Sequence, residues 1–327
     1  MTALTPTMGN SGTGPAWSEQ RISSLLSAMG GFIQGKPEVT DLAVTCLLAE
    51  GHLLLEDVPG VGKTSLARVL SIAAGVSWHR IQCTPDVLPS DVTGVSIWDP
   101  GTKEFEFHPG PVFASVVLAD EINRATPRTQ AALLEAMEEH TVSVDGVTHA
   151  LPSPFFVIAT QNPIEMAGTY PLPEAQLDRF LMRTSIGYPD HSAEVAVLSR
   201  HHAGDRVSDV LPVLSHADLS DLIASAASVE VDGVVLDYIV RIVSATRTKS
   251  GVLLGASPRG SLGLLRAARA RALVRGRSFV VPGDIQELAE PVLAHRLVLE
   301  ADALANKATQ AGVIAQIIEQ VPAPQGN

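Results

Sequence analysis

The run Pro59-Gly60-Val61-Gly62-Lys63-Thr64 brings together residue types suited to holding phosphate. Glycines let successive backbone N–H groups turn inward around an anion, and a helix starting at the lysine adds the positive end of its dipole. In that setting Lys63 reaches the β- and γ-phosphates of a nucleoside triphosphate. Thr64 offers its hydroxyl to Mg²⁺, and Gly60, Val61, Gly62 and Ser65 complete the cradle. The general pattern is GxxxxGK[ST]. Its first glycine position is Asp57 here, so the strict form is not met, while the residues that touch phosphate are kept.

Two further apolar runs end in polar side chains. Val116-Val117-Leu118-Ala119 leads into Asp120-Glu121, and Phe155 to Ala159 leads into Thr160-Gln161-Asn162. Carboxylates at the C-terminal end of a buried strand project into the crevice where ligands bind. Asp120 is then suited to holding Mg²⁺ through water, and Glu121 to taking a proton from an attacking water. Asn162 could orient that water. Taken alone, the acidic pair could cap a helix and Asn162 could be a polar turn before Pro163. Two arginines could neutralise phosphate charge: Arg179 at the end of a helical stretch, and Arg259 after Ser257-Pro258 at a helix start. Structural ion pairs are the alternative for both, and such arginines can also act from a neighbouring subunit.

The elements that must position these residues follow from periodicity. Leu53-Leu54-Leu55 is a short apolar run ending in a Gly/Pro turn, and similar runs cover residues 78–83, 116–119, 155–159 and, more weakly, 181–186. Helical spacing appears over 22–29, 39–50, 65–74 and 129–139. Strands alternating with helices predict a parallel sheet covered on both faces. Beyond Pro189 the pattern becomes all-helical, over 195–202, 219–227, 234–248, 260–274, 282–288 and 291–298, with Asp284 as a cap. The expected organisation is a flexible tail over 1–18, an α/β nucleotide-binding core over 19–189, a small all-α lid over 190–320 and a second tail over 321–327. Two segments interrupt the alternation, 92–109 and 141–150. The second turns at Asp145-Gly146, a strong hairpin signal. Such insertions are suited to contacting partners or substrates.

Composition narrows the class. The 327 residues carry 23 Lys+Arg against 35 Asp+Glu, a net charge of −12, which argues against a broad nucleic-acid footprint. Hydrophobic residues make up 46% and aromatics only 4%, so the core is aliphatic. Cys46 and Cys83 each lie in apolar segments and read as buried thiols in a reducing compartment. With no signal-peptide pattern and no apolar run of membrane-spanning length, a cytoplasmic location without a membrane span is expected.

The chain resembles the MoxR family of AAA+ ATPases over residues 31–299. The matching stretches are 55–64, 80–94, 159–163, 168–180 and the run Asp120-Glu121-Ile122-Asn123-Arg124-Ala125, which is far more family-specific than a phosphate loop. Two departures are Cys83, where an aromatic is usual, and Ile33-Gln34-Gly35-Lys36, where the family tends to read Val-Gly-Gln. The resemblance implies a P-loop core of three layers with a helical lid, assembling as a ring, a hexamer by expectation. It implies ATP and Mg as cofactors. Lys63 and Thr64 would form Walker A, Asp120 and Glu121 Walker B, Asn162 sensor 1, Arg179 the arginine finger and Arg259 sensor 2. It also implies a chaperone that remodels or activates a client with a von Willebrand factor A-domain partner, the two hairpins being similar to those of magnesium chelatase and replicative helicases. The alternatives are a metal-chelatase-like motor, a nucleic-acid motor, for which the 98–110 hairpin has too few cations, and a nucleotide-gated scaffold without turnover.

Overall fold

The computed structural model describes residues 14–163, 168–203 and 207–324, so residues 1–13 of the expected 1–18 tail and 325–327 of the expected 321–327 tail lie outside the described residues. Five strands form one parallel sheet: β1 (Leu53–Glu56), β2 (Trp78–Gln82), β3 (Val116–Asp120), β4 (Phe156–Gln161) and β5 (Met182–Thr184), in the order β2-β3-β4-β1-β5. Side chains alternate across a strand, and the core splits accordingly. Leu53, Leu55, Val116, Leu118, Phe156 and Ile158 enter one apolar cluster. Leu54, Val117, Ala119, Val157 and Ala159 enter the other. Both faces are therefore dry, which is why the strands read as continuous apolar runs rather than as alternating ones.

The register brings the chemistry to one sheet edge. Leu118 lies beside Ile158 and Ile158 beside Leu53, so the C-terminal ends of β3, β4 and β1 are adjacent. Those ends release Asp120-Glu121, Asn162 and the glycine loop. Strand β2, expected to be buried, is an edge strand, and only Ile81 of its five residues is buried. With a single sheet neighbour, its other side chains meet solvent.

Around the sheet stand helices α1 (Pro15–Phe32), α2 (Pro37–Leu48), α3 (Lys63–Ala73) and α4 (Pro127–Glu139). Helix α1 starts at Pro15, inside the segment expected to be a flexible tail. Proline suits a first helical position, and Ser18, Ile22, Leu25 and Met29 bury one helical face. The later helices are α5 (His191–Ala203), α6 (His216–Ala227), α7 (Gly233–Thr248), α8 (Pro258–Val274), α9 (Pro282–Leu293) and α10 (Gln310–Gln320).

Helix α9 runs through Pro291, where the sequence pattern breaks it in two. The burial of Ile285, Leu288, Ala289, Val292 and Leu293 along one face outweighs a proline cost of about 3 kcal/mol. Asp284 is not its N-cap residue, which is Val281. It acts from the third helical position, accepting from the Val281 N–H and pairing with Arg277. Past α10, Val321 and Ala323 pack against the core, and the Pro322 carbonyl accepts from Arg241, so this stretch is held in place. The apolar cluster on the first sheet face continues without a break into Leu222, Ile242, Leu264 and Leu288 of the later helices.

Both insertions are hairpins. The first pairs Gly94–Asp99 with Glu104–Pro109, and the second pairs Thr141–Val144 with Val147–Ala150. Asp145 and Gly146 have φ of 50° and 80°, as a two-residue primed turn requires. The hairpins meet where Phe107 stacks on His149, centroids 3.9 Å apart.

Candidate nucleotide site

The glycine loop depends on two left-handed residues. Gly60 and Gly62 have φ of 87° and 98°, and an added Cβ would meet nothing within 4 Å at either position. The backbone conformation, rather than crowding, demands glycine there. Gly62 then opens helix α3, aiming its first N–H groups into the cleft.

Asp57, at the position where the strict pattern has glycine, is a structural tie. One carboxylate oxygen accepts from the Val58 N–H, and the other accepts from the N–H groups of Ile186 (2.7 Å) and Gly187 (2.6 Å) just past β5. The Asp57 carbonyl accepts from Lys63 Nζ at 2.8 Å. Burial lowers the Lys63 pKa, while the carboxylates of Asp120, Asp57 and Glu121 work against that shift.

Pro59, Gly60, Gly62, Lys63, Thr64, Ser65, Asp120 and Glu121 line one cleft of about 390 Å³, together with Arg80 and Gln82 of β2. At its floor Thr160 donates to Asp120 Oδ1 (2.7 Å) and accepts from the Glu121 N–H (2.8 Å), so one buried hydroxyl fixes both acidic residues. Arg80 binds Asp120 Oδ2 through Nη2 at 2.5 Å and through Nε at 3.2 Å. Glu121 takes a left-handed backbone, φ 57° and ψ 51°, a conformation costing a non-glycine residue about 1–2 kcal/mol. Its carboxylate pairs with Arg124 at 3.1 Å. Asn162 is buried one residue past β4, the strand between those leading to Glu121 and to the loop.

The donors suit Mg²⁺. Asp120 and Thr64 offer two hard oxygens in one cleft, and among the described residues no set of three His, Cys, Asp or Glu could cage a metal alone. That is the donor set of an ion carried in by substrate phosphates, which keeps most of its other ligands as phosphate or water. Cys83 follows β2, and burial together with Asp120 and Glu121 pushes its thiol up to about 12. Both cysteines are buried and free, as the sequence indicates.

The two arginines are elsewhere. Arg179 reaches Glu138 at 3.0 Å and Arg259 reaches the same carboxylate at 2.6 Å, with side chains 29% and 55% exposed. Neither lines the glycine-loop cleft. Each is in an ion pair, as the structural reading allowed, yet together they form one half-exposed basic pair at the end of α4. Sequence reasoning named Thr160 at a strand end without giving it a role, and missed Arg80, Arg124 and Glu138. Arg80 and Arg124 lie within the family-like stretches; Glu138 gave no local signal.

Comparison with known proteins finds relatives over most of the chain. The model of the ATPase family associated with various cellular activities (AAA) matches residues 52–182, and the AAA lid domain model matches 244–317. The chain is 46% identical to Chaperone MoxR1 of Mycobacterium tuberculosis, covering 90% of this chain and 80% of that one. It is 50% identical to the uncharacterised protein YeaC of Bacillus subtilis, covering 89% and 91%. The crystal structure of a candidate ATPase from Cytophaga hutchinsonii superposes with a TM-score of 0.89 at 35% identity, covering 95% of this chain and 97% of that one.

Proposed function

The chain belongs to the MoxR family of AAA+ ATPases, and from that premise we propose that it hydrolyses ATP at a site completed by a neighbouring subunit. One observation carries the reading. Lys63, Thr64, Asp120 and Glu121 line a single cleft, whereas Arg179 and Arg259 converge on Glu138 outside that lining. Two cations held half-exposed by one carboxylate are suited to meeting the γ-phosphate of an adjacent protomer, as in a closed ring. A hexamer is the assembly we propose.

In this reading the loop N–H groups and Lys63 bind the phosphates, and Thr64 and Asp120 would hold Mg²⁺, which supplies charge neutralisation there. Glu121 takes the proton of the attacking water, with Asn162 orienting that water. Arg179 and Arg259 stabilise charge on the transferred group. Their release from Glu138 couples the nucleotide to the helices after Pro189 and thereby to the hairpins, which act on a client protein alongside a von Willebrand factor A-domain partner. The hairpins have the surface for such contacts, since Ile97, Trp98, Phe105 and Val147 are all exposed.

The test is ATP turnover against protein concentration for the wild type and Arg179→Ala. Specific activity that rises with concentration and falls by about 10³-fold or more in the variant supports the shared site. Concentration-independent turnover, unaffected by the substitution, would refute it.

A further inference from the structure

We propose that Arg296 is a positioning residue that fixes Arg179 and Arg259 relative to one another, acting through Asp178. The inference rests on the shared-site reading above. Arg296 follows α9 and its side chain is only 4% exposed. It is wrapped by the loop that carries Arg179. Nε donates to Asp178 Oδ1 at 2.8 Å, and Nη2 donates to the carbonyls of Asp178 (3.2 Å) and Phe180 (2.8 Å). Nη1 reaches the Leu181 carbonyl at 3.4 Å and also the Val292 carbonyl. The adjacent His295 adds a bond from Nε2 to the Phe180 carbonyl at 3.1 Å.

The second oxygen of Asp178 faces the other arginine. Ser257 Oγ donates to Asp178 Oδ2 at 3.2 Å, and Ser257 is the N-cap of α8, accepting from the Arg259 N–H at 3.2 Å. Asp178 precedes Arg179, and Ser257 stands two residues before Arg259. One carboxylate therefore joins the roots of both arginines, and one guanidinium holds that carboxylate.

Stability alone explains this arrangement poorly. A buried ion pair gains little over an apolar pair of the same volume, because desolvation cancels most of the attraction. What the pair does provide is direction. A planar fork with five donors fixes a carboxylate and several carbonyls in one geometry, which a lysine cannot do. Four of those bonds go to residues 178, 180 and 181, which bracket Arg179.

Subunit mixing tests the inference. Arg296→Lys keeps the charge and loses the fork. It is expected to lower kcat by about 10- to 100-fold with KM for ATP changed less than about twofold, the scale of a misplaced catalytic group. Glu121→Gln subunits lack the base but keep both arginines. Mixed one to one with Arg296→Lys they should restore turnover several-fold above either variant alone, because the intact base of one subunit is then served by the intact arginines of the next. Arg179→Ala mixed with Glu121→Gln is the parallel control. Rescue in both mixtures supports the inference. Rescue of Arg179→Ala but not of Arg296→Lys overturns it and leaves the shared site standing. Failure of both overturns the shared site and the inference with it. An Arg296→Lys chain that no longer elutes with the wild-type oligomer also overturns it, since Arg296 would then act on assembly. Should the lysine variant not fold, Ser257→Ala removes the second tie together with the α8 cap, and a several-fold loss of kcat with the same rescue is expected; wild-type kcat in Ser257→Ala overturns the inference.

Discussion

Replacing Asp57 by glycine would make the phosphate loop match its strict pattern, and the structure predicts that this change is harmful. The Asp57 carboxylate, in a residue only 8% exposed, accepts three backbone N–H groups. Two of them, on Ile186 and Gly187, lie 129 and 130 residues away, so the tie joins the loop to the chain beyond β5. Asp57→Gly strands a buried donor on Ile186 and a partly buried one on Gly187. A buried donor without a partner costs about 1–3 kcal/mol, and water can reach the Gly187 and Val58 amides, so roughly 2–3 kcal/mol is lost in hydrogen bonding. Glycine adds about 0.5–1 kcal/mol of backbone entropy. The expected total is about 3 kcal/mol. The Asp57 carbonyl that receives Lys63 survives, so Lys63 keeps its anchor and the damage falls on stability before nucleotide affinity. Urea unfolding reads the global loss. Amide hydrogen exchange over residues 184–190 reads the local one, where about 3 kcal/mol corresponds to roughly 100-fold faster exchange. A variant within about 0.5 kcal/mol of the wild type, with exchange unchanged at 186 and 187, would refute the assignment of Asp57 as a tie.

Two other predictions concern charge. Arg80 competes for the Asp120 oxygen that the proposed Mg²⁺ site needs, so Arg80→Gln should tighten Mg²⁺-dependent nucleotide binding. The gain is about fivefold for a partly exposed pair worth about 1 kcal/mol; a Mg²⁺ titration of a fluorescent nucleotide analogue that shows equal or weaker binding would contradict it. His52 is fully buried, accepting from the Val157 N–H at Nδ1 and bonded at Nε2 to the Met137 carbonyl, and burial lowers its pKa from 6.5 to about 4. The unfolded chain therefore takes up this proton first, and the stability present above pH 6.5 is lost as pH falls towards 4, by about 3 kcal/mol. Urea unfolding of wild type and His52→Gln at pH 7 and pH 4.5 checks this. The variant should be flatter between the two values, and identical slopes would sink the assignment.

The two halves of the proposed site differ in how far sequence reveals them, for a physical reason. The phosphate half is local. A buried parallel strand must end in a loop, and its last polar residues must face the crevice, so Asp120, Glu121 and Asn162 could be placed from apolar runs, and Lys63 and Thr64 from the glycine run that follows one of them. Turn chemistry is equally local, and Asp145-Gly146 announces its hairpin. What escaped the pattern is tertiary. Burial of an entire helical face carries α9 through Pro291 and starts α1 at Pro15. The position of β2 at the sheet edge exposes residues that read as core. The pairings that orient charge span 40 residues for Arg80 with Asp120, 121 for Arg259 with Glu138 and 118 for Arg296 with Asp178. No periodicity records a partner at that distance. The arginine half of the site is built almost wholly from such pairings, and apart from Arg179 with Glu138 they run between the sheet core and the helices beyond Pro189. A motion of those helices would therefore reset Arg259 through Ser257 and Arg179 through Asp178 together, while the glycine loop, tied by Asp57 to the end of β5, stays in place.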